Sequence, residues 1–143
     1  MTVLLDHTAH QTLLDNRLIL VVDDEEPIRR LLAYLLQSHG YTVDGAADAR
    51  EARQKLAAQP YALMLCDVNM PGESGMDLVR HALTAHPHTA AIMVTGLDSS
   101  VLANAALDVG AFGYIVKPFE SNEVLIDVAN ALRRRRLELE NRH

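Results

Sequence analysis

Leu63-Met64-Leu65-Cys66-Asp67-Val68-Asn69-Met70-Pro71-Gly72 is the stretch on which the fold turns. Its opening run carries no polar residue and reads as a strand buried on both faces, the pattern of a parallel sheet. The run stops at Asp67, and Asp is both depleted in strands and costly to bury unpaired. Turn formers follow: Asn69, Pro71, Gly72 and Gly75. A carboxylate therefore stands at the C-terminal end of a central strand, on the edge where open α/β sheets bind ligands.

The same alternation extends to both sides. Arg17 to Val22 is an apolar, β-branched strand ending in Asp23-Asp24-Glu25-Glu26. Pro27 then suits the first turn of a helix, where its missing N–H costs nothing. That helix carries Ile28, Leu31, Leu32, Leu35 and Leu36 at core spacing and stops at Gly40. Tyr41-Thr42-Val43 is a second strand, and Asp48 caps a helix that ends before Pro60. After the central strand, Tyr61 to Cys66, a third helix runs from Ser74 to about Ala85. Ala90 to Val94 is the fourth strand, ending at Thr95-Gly96. A helix from Ser99 or Ser100 to Gly110 leads to the fifth strand, Gly113 to Val116, which ends at Lys117-Pro118. The last helix runs from about Ser121 through Leu132 towards Leu139. Residues 1–16 read as a tail. Five strands alternating with five helices predict one α/β domain with a doubly wound, flavodoxin-like parallel sheet of order 2-1-3-4-5.

Size and composition set the outer limits. At 143 residues the chain suits one domain with its own core. A hydrophobic fraction of 49% with 22% charged residues is that of a globular chain without a membrane span. The net charge of −6 argues against nucleic acid binding by this domain. The single cysteine, Cys66, excludes an internal disulfide and points to a reducing, cytoplasmic setting.

Parallel strands bring Asp23, Asp24, Asp67, Thr95 and Lys117 to one edge. Three carboxylates that close repel one another unless a cation sits among them. A hard divalent ion that keeps some waters fits, with Mg²⁺ the natural choice. Thr95 and Lys117 add donors for an anion. A metal and two donors around a carboxylate make a phosphoryl-transfer site with the carboxylate as nucleophile.

Asp23-Asp24, Asp67 with Asn69-Met70-Pro71 and Gly75, Thr95-Gly96 and Lys117-Pro118-Phe119 resemble the receiver domain of bacterial two-component response regulators, from about Leu18 to Leu132. The resemblance implies that Asp67 accepts a phosphoryl group from a sensor histidine kinase or a phosphotransfer protein. It implies Mg²⁺ held by Asp24, Asp67 and the backbone carbonyl of Asn69, with Asp23 acting through a water. Thr95 and Lys117 would contact the phosphoryl oxygens, Gly96 would leave room beside them, and the Lys117–Pro118 peptide would be cis. Tyr114 would be the switch aromatic that turns inward with Thr95. The output face would be the fourth helix, fifth strand and fifth helix, with Ala106, Asp108, Gly110 and Ala111 around it.

On this reading residues 17–132 are the receiver and 133–143 a charged helical extension, the start of a linker to an effector domain. An effector with cyclic-dinucleotide phosphodiesterase chemistry is one such output by resemblance. The alternatives are a stand-alone phosphotransfer or docking adaptor and a Mg²⁺-dependent phosphohydrolase. The last is disfavoured because Asn69 stands where such enzymes place an acidic Asp. Slow loss of the protein's own phosphate is expected, but no turnover of an external substrate.

Other features have plainer readings. Cys66 reads as a packed thiol, and the pairs His7/His10 and His86/His88 as solvated, since neither has further ligands at zinc spacing. Arg133 to Arg136 reads as a solvated helical run with the i,i+4 pairs Arg134–Glu138 and Arg136–Glu140. Leu125, Val128, Leu132 and Leu139 form a seam with Arg135 at the skipped position. Two readings stand for it: a pairing helix for a homodimer, which the output face could also support, or an amphipathic end.

Overall fold

The computed structural model describes residues 2–96 and 100–141, with side chains at 9–96 and 101–141. In chain order the elements are α1 (Thr2–Asp15), β1 (Leu18–Val22), α2 (Glu26–Gln37), β2 (Thr42–Ala46), α3 (Ala49–Ala58), β3 (Leu63–Asp67), α4 (Gly75–Ala85), β4 (Ala90–Thr95), α5 (Ser100–Asp108), β5 (Gly113–Val116) and α6 (Ser121–Asn141). All strand pairs are parallel and the sheet order is β2-β1-β3-β4-β5. Ser99, one of the two helix starts read from sequence, lies outside the described residues.

The period of two along each strand sorts the core into two layers. Ile19, Val21, Leu63, Leu65, Ile92, Val94 and Ile115 pack with α2 and α6. Leu20, Val22, Met64, Cys66, Ala91 and Met93 pack with α3, α4 and α5 on the opposite face. Local chemistry sets the helix starts. The Asp48 side chain accepts from Glu51 N–H at 2.8 Å, and Glu51 reaches back to Ala47 N–H at 2.8 Å. Ser74 accepts from Asp77 N–H at 3.2 Å to start α4. Gly40, at φ +88°, turns the chain out of α2 in a conformation that side chains avoid.

Three features correct or extend the reading of the sequence. There are six helices rather than five, because residues 2–15, read as a tail, form α1. Its leucines are too sparse for a clear helical stripe, and tertiary contact supplies what the pattern lacks. Leu14 is buried, Asn16 donates to Pro60 O at 2.6 Å, and Arg135 of α6 donates to Leu13 O at 2.7 Å. Second, the seam on α6 is used within the chain. Val128 is buried against the sheet, Leu125 and Leu132 pack on the same layer, and Leu139 is buried beside Pro87 and Val109. Third, of the residues expected around the output face, Ala106 and Ala111 are core residues packed beneath it.

Candidate functional site

Backbone hydrogen bonds fix the strand ends and so aim the side chains beyond them. Asp23 N–H bonds Ala46 O at 3.1 Å, Val68 N–H bonds Val94 O at 3.0 Å, and Lys117 N–H bonds Thr95 O at 2.7 Å. Strand alternation does the rest. Asp23 continues the row Ile19-Val21, Asp67 the row Leu63-Leu65, and Lys117 follows Ile115, all on the α2–α6 side of the sheet. Thr95 falls in the other row, with Ala91 and Met93.

The result is a crowded acidic crevice. One carboxylate oxygen from each of Asp23, Asp24 and Asp67 lies within 4.8 Å of the others. Asp23 and Asp67 are buried, while Asp24 opens to solvent. Lys117 Nζ donates to Asp23 Oδ2 at 3.1 Å and to Asp67 Oδ2 at 3.4 Å. Asp67 Oδ1 accepts from Asn69 N–H at 3.1 Å, and Asp23 Oδ1 accepts from Glu25 N–H at 2.9 Å.

Burial pushes the Asp67 carboxyl above its usual range, and the Asn69 N–H and the Lys117 charge only partly oppose it; Asp23 adds to the rise. For Lys117 burial works downward. Its hydrogen bond and charge contact with Asp23, then those with Asp67, outweigh that and hold the group as an ammonium. Three carboxylates against one ammonium leave net negative charge among hard oxygens. That donor set fits a small divalent cation, and the exposure of Asp24 fits one that retains water.

The remaining expected residues are placed as follows. Thr95 is buried, and its hydroxyl donates to Gly96 O at 3.2 Å rather than to a carboxylate. Among the described residues, a Cβ on Gly96 would meet nothing within 4 Å. The Lys117–Pro118 peptide is cis. Tyr114 is 40% exposed, on the α5–β5–α6 side of the molecule.

Two features escape a reading of the sequence. A Cβ on Gly75 would lie 2.1 Å from Asp67 O, so that residue is glycine because α4 begins against the backbone of Asp67. Sequence marks it only as a turn former. The loop between them is pinned by a two-toothed ion pair, Arg53 Nε to Glu73 Oε1 at 2.8 Å with Nη2 closing on Oε2. The pair spans 20 residues, and no local pattern announces it.

A family model described as the response regulator receiver domain matches residues 19–129. Among curated relatives, response regulator protein PilR of Pseudomonas aeruginosa is 40% identical over 121 residues, covering 85% of this chain and 27% of PilR. Aerobic respiration control protein ArcA of Escherichia coli is 36% identical over 116 residues, covering 81% and 48%. The chain thus spans about a quarter to a half of these relatives. A solved response regulator receiver domain protein from Clostridium thermocellum superposes with a TM-score of 0.79 at 33% identity, covering 84% of this chain and 97% of that one. NtrX from Brucella abortus gives a TM-score of 0.84 at 30% identity, covering 87% and 28%.

Proposed function

Because the chain belongs to the response regulator receiver domain family of two-component signalling, we propose that Asp67 is its phosphoacceptor, serving a sensor histidine kinase or phosphotransfer protein in the cytoplasm. A carboxylate oxygen of Asp67 forms the new bond to phosphorus while the P–N bond of the donor phosphohistidine breaks. The electron pair of that bond leaves with the imidazole. No general base is required, since an ionised carboxylate attacks directly. The observation that carries this reading is the Lys117 ammonium bridging Asp23 and Asp67 at 3.1 and 3.4 Å in a crevice of three carboxylates.

Asp24, Asp67 and the Asn69 carbonyl would hold Mg²⁺, with Asp23 contributing through water. The ion supplies positive charge opposite the transferring phosphoryl oxygens. Lys117 exchanges a carboxylate partner for a phosphoryl oxygen. Thr95 gives up its bond to Gly96 O and turns its hydroxyl to another. The space beside Gly96 accommodates the group, and Tyr114 moves from its exposed position into the space that Thr95 vacates. New contacts of Thr95 and Lys117 bias a two-state equilibrium, read out on the α5–β5–α6 face. Val101, Leu107, Val109, Tyr114 and Ile126 are exposed on those elements and the connection between them, as an output surface requires. The longer relatives favour a role as one part of a regulator that controls an output domain.

The test is intact mass after incubation with acetyl phosphate and Mg²⁺. The wild type gains one phosphoryl group; Asp67→Asn gains none, and neither does the wild type without Mg²⁺. Phosphorylation of Asp67→Asn at the wild-type rate would overturn the assignment of Asp67.

A further inference from the structure

The end of the sheet opposite Asp67 holds a second concentration of charge, of opposite sign. A cavity of about 430 Å³ lies between the end of α1 and the second half of α6, lined by Leu14, Asp15, Arg17, Arg133, Arg135 and Arg136 among others. Four arginines from two separate parts of the chain line it, in a protein whose net charge is −6. The one carboxylate in the wall, Asp15, is already bonded by Gln11 at 3.1 Å and Arg136 at 3.0 Å.

Arg135 is the decisive member. It is only 4% exposed, and its Nε and Nη1 donate to the carbonyls of His88 and Leu13, each at 2.7 Å. Its Nη2 is buried with no partner. No carboxylate among the described residues pairs with it, although an unpaired buried cation is among the most costly groups a fold can hold. Burial accordingly pulls its pKa down. Arg133, two residues earlier, makes no ion pair among the described residues, whereas Arg134 and Arg136 have Glu138 and Glu140 at i+4. Arg17 spends Nε and Nη2 on the carbonyls of Gly40 and His39 and stacks on Tyr41, which holds its cationic plane in place.

We propose that this arginine-walled cleft, between the end of α1 and α6, binds a small anion bearing two or more phosphate groups. Arg17, Arg135 and Arg136 are held in place by carbonyls and carboxylates, which leaves Arg133 as the arginine whose planar fork can meet phosphate oxygens two at a time. The cavity, about 430 Å³ and lined in part by the buried Arg135, is of small-ligand size, which suits a compact anion. Free oligophosphates and phosphorylated lipid headgroups share this chemistry. The site does not depend on the role assigned to Asp67.

The experiment is calorimetric titration of the full chain with inorganic tripolyphosphate in EDTA, so that no metal can recruit phosphate to the Asp67 crevice. One-site binding is expected. Arg133→Glu weakens it by about tenfold or more, as loss of a charge-assisted contact plus a reversed charge requires, while phosphorylation of Asp67 by acetyl phosphate is unchanged. Arg135→Met abolishes the binding; should that variant fail to fold, Arg133→Glu decides alone. Absence of binding at millimolar tripolyphosphate, or binding indifferent to Arg133→Glu, overturns the proposal. Sedimentation with phosphatidylcholine vesicles containing phosphatidic acid separates the sources. Binding to vesicles without binding to tripolyphosphate overturns the free-anion site in favour of a lipid surface.

Discussion

Lys117 stands between two buried carboxylates in a crevice of three, so it offsets part of the negative charge there before any metal does. Removing it leaves buried negative charge without an internal partner. Lys117→Ala should therefore cost about 2 kcal/mol in EDTA, a figure reduced for the solvent that reaches Asp24. Added Mg²⁺ should raise its melting temperature by more than it raises that of the wild type, since the ion replaces the lost charge. An equal Mg²⁺ response in the two proteins would show that the ammonium is not the crevice's counter-charge. Gly75 makes a second residue-scale case. Gly75→Ala pushes a methyl into Asp67 O, and overpacking of that kind costs about 1–3 kcal/mol. Urea denaturation should show the loss, together with slower phosphorylation as the Asp67 backbone shifts. A variant as stable as the wild type would mean that α4 can simply back away.

At the scale of elements, the Arg53–Glu73 fork ties α3 to the loop that leaves β3. The hydrogen bond from Arg53, with its charge, holds the Glu73 carboxyl below the ordinary glutamate range despite some burial. A depressed carboxyl stabilises the fold above its unfolded pKa, and that stabilisation disappears as pH falls through the folded value. Glu73→Gln should thus cost about 0.5 kcal/mol near neutrality, the size expected of a partly exposed pair. The gap from the wild type should close in acid, below the ordinary value of 4.5. A pH-independent gap in denaturation midpoints would assign the effect to packing. Elements were legible where repetition announced them. The apolar strands and capped helices carry periods of two and 3.6, and Asp48 caps its helix as its position suggests. Helix α1 was not legible, because a helix that docks through contacts such as the buried Leu14 and the Leu13 carbonyl needs no amphipathic stripe.

Across the whole molecule, the crevice could be read from sequence because a parallel sheet gathers all strand C-termini on one edge. Asp23, Asp67, Thr95 and Lys117 needed only their places after apolar runs. The opposite end could not be read that way. Arg135 occupies a skipped position in an apolar repeat, which looks like solvent exposure, yet its partners are backbone carbonyls 47 and 122 residues away. The leucine repeat around it was equally ambiguous, since the same spacing serves packing within a chain and between chains. The structure turns Val128 and Leu139 inward. Deleting residues 133–143 should consequently lower stability by about 2–4 kcal/mol, mainly through the lost burial of Leu139 and the lost anchor of α1. Light scattering should find the oligomeric state unchanged; a fall in mass beyond the deleted residues would favour the paired-helix reading.

Cys66 lies one residue from Asp67, but it points into the opposite layer and is wholly enclosed there, with burial driving its thiol well above the ordinary range. Alkylating reagents act on exposed thiolates, so the native protein is chemically silent towards them. A cysteine placed at position 114 becomes the sole handle for a fluorophore or spin probe. A probe there would report in solution whether that position moves on phosphorylation, with no need to engineer away a background thiol.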